Sequence, residues 1–294
     1  MRILVTGKNG QLATALCEAA AADTSFDVVA LGREALDICD KASVERAVAD
    51  VKPDMIISAA AYTAVDKAET ERQQAFAANE AGPRLLASAA ARRGIPIIHV
   101  STDYVFDGRK SEPYIEDDAV SPAGIYGASK LAGEIAVAKT NPKHLILRTA
   151  WVYSATGQNF VKTMLRLAAD RDQVNVVDDQ YGNPSYAPHL ALAILNVARQ
   201  IHHNPGLQAW GMYHLAGTGT TTWCGLAREV FKRSEAAGGP HARVDAITTS
   251  EYPTPAKRPA NSTLDCTKAK QTFGVELPAW QTGVADCLAR LMQN

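Results

Sequence analysis

Residues 2–13 commit this chain early. Arg2 to Thr6 is an aliphatic run that reads as a buried strand, and Gln11 to Ala22 reads as a helix. Between them lies the turn Gly7-Lys8-Asn9-Gly10, and the spacing Gly7, Gly10, Ala13 fits a Gly-x-x-Gly-x-x-Ala junction. Glycine is needed where the backbone takes positive φ or lies against a ligand. The helix that follows aims free N–H groups at a pyrophosphate, and a small residue at position 13 lets helix and strand pack closely. A tight turn without a ligand would share part of this pattern. What favours a dinucleotide is the setting, a first strand, turn and helix inside a longer alternation.

That alternation continues. Strands are expected at Val28 to Leu31, Met55 to Ser58, Ile97 to Ser101 and Leu145 to Arg148. Helices are expected at Ser43 to Val51 (with Asp40 as cap), at about Glu80 to Arg93, stopping at Gly94, and at Tyr126 to Lys139. Strands that alternate with helices pair in parallel and are covered on both faces, so the expected fold is α/β, a doubly wound Rossmann-type parallel sheet with a smaller C-terminal substrate-binding region. The expected division is 1–150 for nucleotide binding and 151–294 mainly for substrate, partly interleaved with the first. In the second half, Phe160 to Ala169, Leu190 to Gln200 and Trp223 to Ser234 read as helices, the last capped by Thr221 or Thr222. Tyr213 to Leu215 reads as a strand, and the proline-bearing stretch Tyr252 to Asn261 as extended or looped. No flexible linker separates the halves, so a cleft between them is expected.

The bulk properties narrow the function classes. A formal net charge of -1 gives no basic excess for a nucleic acid. Apolar runs such as Met55 to Ala61 are too short to span a bilayer. The chain passes from Met1-Arg2 straight into its first strand, and its five cysteines (Cys17, Cys39, Cys224, Cys266, Cys287) are scattered. These features lead to the expectation of a cytoplasmic protein with no targeting peptide, no membrane and no metal. His202-His203, ahead of Asn204-Pro205-Gly206, reads as a solvated turn because no third ligand is evident.

The chemistry is carried by Tyr126-Gly127-Ala128-Ser129-Lys130, which opens a helix and puts Tyr126 and Lys130 on one face at i, i+4. A free phenol has a pKa of about 10, and bringing it to about 7 takes roughly 4 kcal/mol. One ammonium at about 4 Å in an effective dielectric of about 20 supplies a term of that order. In the reducing direction a neutral Tyr126 gives its proton to the forming alkoxide, and Lys130 steadies the tyrosinate and holds the cofactor ribose. Tyr-x-x-x-Lys occurs by chance as a surface pair. Here it stands just before the fifth strand, and the fourth strand ends in Thr102-Asp103, with the Thr102 hydroxyl placed to meet a substrate carbonyl. After the second strand come Gly32-Arg33-Glu34. Arg33 tilts the cofactor toward NADPH, with NADH the alternative, and Asp37-Ile38 is expected to flank the adenine.

Five segments carry a family resemblance: Ser58 to Glu69 (SAAAYTAVDKAE), Ser101 to Gly108 (STDYVFDG), Tyr126 to Glu134 (YGASKLAGE), Arg148 to Tyr153 (RTAWVY) and Arg258 to Ser262 (RPANS). The chain resembles the dTDP-4-dehydrorhamnose reductases, extended short-chain dehydrogenases/reductases, over essentially its whole length. The resemblance implies hydride transfer from NAD(P)H to C4 of dTDP-4-dehydro-β-L-rhamnose, the last step of dTDP-L-rhamnose synthesis. It implies catalytic roles for Thr102, Tyr126 and Lys130. It places Gly10, Gln11 and Leu12 on the pyrophosphate, and Ala61, Tyr62 and Thr63 along the cofactor at the sheet edge. It puts Thr102, Asp103 and Trp151 on the sugar nucleotide, a small-molecule partner. An aromatic face suits a sugar's apolar side, though Trp151 also fits a plain core residue. Arg258 is a candidate for the diphosphate, or else a surface charge. Some members of the family dimerise through a magnesium ion held by C-terminal glutamates. No matching glutamates stand near Pro188-His189-Leu190 or in the tail Leu291 to Asn294, so a homodimer stays open without that metal.

Other readings compete. Related dehydratases carry Asp-Glu after the threonine, whereas Tyr104 follows Asp103 here. An epimerase would return the hydride. A regulatory subunit of methionine adenosyltransferase resembles these reductases and works through partner contacts instead.

Overall fold

The structure, a computed structural model, describes residues 1–204, 206–207 and 209–293. Pro205 of the expected turn and Asn294 of the tail lie outside the described residues. The first half comprises β1 (Arg2–Thr6), α1 (Gln11–Ala21), β2 (Asp27–Leu31), α2 (Lys41–Val51), β3 (Met55–Ser58), α3 (Val65–Ala68), α4 (Arg72–Phe76), α5 (Gly82–Arg92), β4 (Ile97–Thr102), α6 (Ile125–Thr140) and β5 (His144–Thr149). The second half comprises β6 (Val152–Tyr153), α7 (Phe160–Ala168), β7 (Gln173–Val177), β8 (Tyr181–Gly182), β9 (Ser185–Tyr186), α8 (Ala187–His203), β10 (Gly211–His214), β11 (Thr221–Thr222), α9 (Trp223–Ala236), β12 (Arg243–Ile247), α10 (Thr267–Phe273) and α11 (Trp280–Met292).

The central sheet runs in the order β2-β1-β3-β4-β5-β10, with every pair parallel. Its strands are apolar on both faces because both faces are covered. Ile3, Val5, Ile57 and Ile98 pack under α1 and α8, with Leu190 and Ile194 above them. Their neighbours Leu4, Ile56, Ile97 and Ile146 point the other way, against Val44 of α2 and Leu86 and Ala90 of α5. The chain leaves β1 toward β2 and then returns to β3 on the opposite side. The reversal opens a crevice at the carboxyl ends of β1 and β3, the place where such sheets hold ligands.

Local chemistry sets the element ends. Asp40 caps α2, accepting from the backbone N–H groups of Ala42 (3.0 Å) and Ser43 (3.3 Å). Of the two threonines considered for α9, Thr222 is the cap, accepting from Gly225 N–H at 2.9 Å. The helix expected from about Glu80 begins differently. Residues Ala77–Ala81 wind as one π-helical turn, and α5 follows from Gly82 to Arg92. Gly94, at φ +68°, ends the segment as expected.

The second half contributes to both lobes. β10 pairs with β5 and extends the main sheet, while β7 and β12 form their own parallel pair. Val174 and Val176 of β7 pack with Leu226, Val230 and Phe231 of α9 and with Val284 and Leu288 of α11 in a separate core. Helices α10 and α11 and the β7–β12 pair were not anticipated from the sequence. No helix among the described residues is long and apolar enough to cross a membrane.

Candidate active site

A cleft of about 800 Å³ lies between the carboxyl ends of the sheet and the second lobe. Its floor begins at the glycine turn. Gly7 takes φ +85°, and a Cβ there would stand 3.0 Å from the Ala60 Cα, so both backbone angle and space demand glycine. The Thr6 hydroxyl accepts from the N–H groups of Ala59 (3.1 Å) and Ala60 (2.9 Å), which pins the exit of β3 beside the turn. Gly10 N–H closes the turn onto the Gly7 carbonyl at 2.7 Å. Gly10 is also the N-cap of α1 and, having no side chain, gives the helix's first N–H groups no side-chain cap. An uncapped helix start facing a cleft suits an anion.

The opposite end of the cleft is built by β4 and α6. Thr102 ends β4, and its hydroxyl donates to Asp103 Oδ1 at 2.9 Å. Tyr126 and Lys130 occupy successive turns of α6, and all four residues line the cleft. Gly127 lets this helix approach closely, since a Cβ there would stand 2.1 Å from the Tyr104 carbonyl oxygen. The Lys130 ammonium, 2% exposed, donates to the Val100 carbonyl of β4 at 2.7 Å. Asn79, in the π-helical turn, is fully buried. Its side chain accepts from Tyr62 N–H (2.8 Å) and donates to the Ser129 hydroxyl (2.9 Å), which in turn donates to the Tyr126 carbonyl (2.8 Å). The strand-end residues and the tyrosine's helix are therefore tied through one asparagine.

Burial dominates the electrostatics. It lowers Lys130 to about 8, with the Glu134 carboxylate opposing the fall. It raises Asp103 to about 6, partly offset by hydrogen bonding that includes the Thr102 hydroxyl. Asp103 Oδ2 is buried and makes no hydrogen bond within 3.5 Å among the described residues, though the Ser262 hydroxyl is near enough to lower the carboxyl's pKa. Tyr126 is raised to about 12 by burial, an effect the Thr102 hydroxyl reduces and the Asp103 charge adds to. The Tyr126–Lys130 spacing predicts an ammonium that depresses the phenol toward neutrality. The direction here is the opposite, because desolvation sets it, and the lysine's ammonium is engaged by the Val100 carbonyl. A phenol that stays protonated is suited to donate.

The facing wall carries aromatics. Trp151 and Trp223 stack at 3.5 Å between centroids and 4° between planes. Trp151 takes φ +47°, rare for a bulky residue. Gly182 leaves room for its indole, since a Cβ there would lie 2.3 Å from it. Phe160 leans on Trp223 at 4.8 Å. Trp223 and Tyr104 also wall an adjoining cavity of about 970 Å³, lined further by Arg258, Val176 and Tyr252. Arg258 Nη2 pairs with Asp66 Oδ2 at 2.7 Å across the two lobes, and its Nη1 is left without a partner.

Gly7, Gly10, Gln11, Leu12, Arg33, Ala61, Thr63, Thr102, Asp103, Tyr126, Lys130 and Trp151 all line the cleft. Four expected residues lie elsewhere. Arg258 is in the adjoining cavity. Tyr62 donates its hydroxyl to Glu71 at 2.8 Å. Asp37 pairs with the exposed Arg33 at 3.5 Å. Ile38 is buried in the core against Gly82. The Gln11 side chain is engaged in binding the lobes together: its carbonyl oxygen accepts from Ser154 (3.1 Å) and Asn159 (2.9 Å). Sequence reading missed Trp223, Tyr104 and Asn79. An aromatic directly after the Thr222 cap was the one available signal for Trp223, since it begins an amphipathic helix on the cleft side.

Comparison with known proteins places these features in a family. The model described as "RmlD substrate binding domain" matches residues 1–293. The chain is 50% identical to a dTDP-4-dehydrorhamnose reductase of Sinorhizobium fredii, covering 96% of this chain and 94% of that one. The crystal structure of a dTDP-4-dehydrorhamnose reductase from Clostridium acetobutylicum superposes with a TM-score of 0.92 at 37% identity, over 99% of this chain and 100% of that one. The enzyme of the same name from Bacillus anthracis, solved in complex with NADP, gives a TM-score of 0.90 at 35% identity, over 98% and 99% of the two chains.

Proposed function

The chain belongs to the dTDP-4-dehydrorhamnose reductase family, and from that premise we propose that it reduces the C4 ketone of dTDP-4-dehydro-β-L-rhamnose with NADPH, giving dTDP-L-rhamnose. The observation that carries the reading is one cleft holding Thr102, Tyr126 and Lys130 at one end and an uncapped helix start at the other.

The cleft fits the cofactor. Gly7 and Gly10 keep side chains off the backbone where a pyrophosphate would meet the N-terminus of α1. Arg33, with Asp37 steadying it, stands at the end of β2 for a 2′-phosphate, and Ala61 and Thr63 flank the path toward the catalytic end. Bound NADPH supplies the hydride. Residues 1–150 form the cofactor side in this reading and 151–294 mainly the substrate side, interleaved where β10 joins the sheet.

The chain's own residues manage the proton. Tyr126 is neutral at physiological pH because burial holds its pKa near about 12, so its hydroxyl proton is available for the C4 oxygen as negative charge grows there. The Thr102 hydroxyl turns from Asp103 to that oxygen and fixes the carbonyl. Lys130 steadies the phenolate left behind and holds the cofactor ribose. Trp151, backed by Trp223, presents a flat apolar face to the sugar, and the free Nη1 of Arg258 meets a diphosphate oxygen. A dehydratase would need a second carboxylate after Asp103, where Tyr104 stands. The partner is a free sugar nucleotide, and the compartment is the cytoplasm.

The test is incubation with NADPH and the 4-keto sugar nucleotide, followed by product analysis. Equimolar loss of NADPH with formation of the 6-deoxy-L-sugar is expected. An epimerised or dehydrated product with no net NADPH loss overturns the assignment.

A further inference from the structure

Below the catalytic pair lies an ion pair that the mechanism above does not use. Tyr126, Lys130 and Glu134 follow one another at i, i+4 and i+8 on α6, so Glu134 continues the same face one turn deeper. Its carboxylate is grasped from β5 by Arg148, with Nε to Oε1 at 2.9 Å and Nη2 to Oε2 at 2.7 Å. Both side chains are nearly excluded from solvent, at 4% exposure for Arg148 and 2% for Glu134. The Arg148 guanidinium carbon itself lies 5.0 Å from the centre of the Phe106 ring, which stacks on Tyr114. A buried carboxylate in this position bonds one cation, from β5, and acts through its charge on a second, the lysine one turn earlier on its own helix, whose proton loss it opposes.

We propose that Glu134 is a positioning residue of the reaction: clamped by Arg148, its charge keeps Lys130 in the ammonium form beside Tyr126. A buried lysine loses its proton readily, and an opposite charge one turn away resists that loss. The other groups around this run do not take over the titration. His99 on β4 faces Lys130 and is held neutral by burial, its pKa well below the ordinary histidine value. His214 on β10 faces Arg148 and is lowered to about 3. Asp103, after β4, is near about 6, and Tyr126 is near about 12. Lys130, lowered to about 8, is the group whose deprotonation falls in the mildly alkaline range. Activity that requires its charge declines as pH rises through that value.

The assignment rests on Tyr126 and Lys130 acting as proposed, and the pH profile of kcat separates the two claims. The full chain is assayed with NADPH and the 4-keto sugar nucleotide, as wild type, Glu134→Gln, Arg148→Met and the double variant, with NADPH binding as the check on folding. Glu134→Gln should move the alkaline limb to lower pH by about one unit or more, the order of effect an opposite charge has on a buried group. Arg148→Met leaves the carboxylate unopposed and should move the limb to higher pH. The double variant replaces the ion pair with neutral groups and should move the limb down by less than Glu134→Gln does. It decides the matter if a single variant does not fold, since a neutral pair removes the uncompensated buried charge. A purely structural clamp would lower activity in both single variants without moving the limb. A limb that stays in place in any folded variant lacking Glu134, or that moves the same way in both single variants, overturns the proposal. A wild type with no alkaline limb at all would instead remove the Tyr126–Lys130 reading on which it stands.

Discussion

The two walls of the cleft are built by different means. The wall with Thr102, Tyr126 and Lys130 belongs to the six-stranded sheet and a sixteen-residue helix. Its polar groups are sunk deep, with Lys130 and Asp103 each 2% exposed. The facing wall consists of the first residues of α7 and α9, two-residue strands, the separate β7–β12 pair and the loop that carries Arg258. Its aromatic and guanidinium groups hold position through stacking and one ion pair across the lobes. In the proposed reaction, chemistry, which needs atoms fixed to fractions of an ångström, falls to the rigid side, and recognition to pieces that can be exchanged without disturbing the sheet.

If that contrast is right, substitutions on the first wall change the chemical rate and those on the second change binding. Lys130→Met should give the largest effect, a loss in kcat of about 10²-fold or more, with the fold retained by circular dichroism. A rate near wild type would break the contrast at its strongest point.

Asp103 tests the cost of burying charge on that wall. Its pKa rises from 3.8 to about 6, so the folded chain binds this proton more tightly than the unfolded chain. The resulting stabilisation is present in full below the unfolded value and is lost as pH rises through about 6. Asp103→Asn avoids that loss and keeps an acceptor for Thr102. It should stabilise the protein at neutral pH by up to about 3 kcal/mol, with the gain fading toward acid pH. Urea melts at the two pH values decide this, and a gain that does not depend on pH contradicts it.

On the second wall, Trp223→Ala removes the support of Trp151. It should raise KM for the sugar nucleotide roughly tenfold, the order of one lost aromatic stack and its buried area, with kcat changed far less. A fall confined to kcat would mean that the aromatic wall takes part in the chemistry. Arg33→Ala should have the smallest effect, because its partner is a single carboxylate 3.5 Å away and the side chain is 86% exposed. A rise in the KM for NADPH of about two- to fivefold, with NADH unaffected, is expected from a solvent-screened charge. Equal changes for both cofactors would remove Arg33 from the 2′-phosphate site.

The same contrast explains what the sequence disclosed. The first wall is encoded at short range. Gly7 and Gly10 sit three residues apart, Tyr126 and Lys130 four, and each pair acquires meaning from the strand beside it. The second wall is encoded at long range. β7 meets β12 across some seventy residues, with Gln173 opposite Arg243, and Asp66 meets Arg258 across the lobes. Nothing local in Gln11 announces that its amide is held by Ser154 and Asn159, or in Ile38 that it faces Gly82 in the core. The direction of the Tyr126 shift was missed for a related reason. Helical spacing shows that an ammonium is near, but not that burial sets the phenol's pKa or that Val100 engages the ammonium.

The central claim is that the Tyr126 hydroxyl supplies the proton for ketone reduction. Single-turnover oxidation of NADPH by the saturated complex, compared between wild type and Tyr126→Phe, tests it most directly. The account predicts a step slowed by about 10²- to 10⁴-fold with NADPH affinity unchanged, and equal single-turnover rates in the two proteins would contradict it.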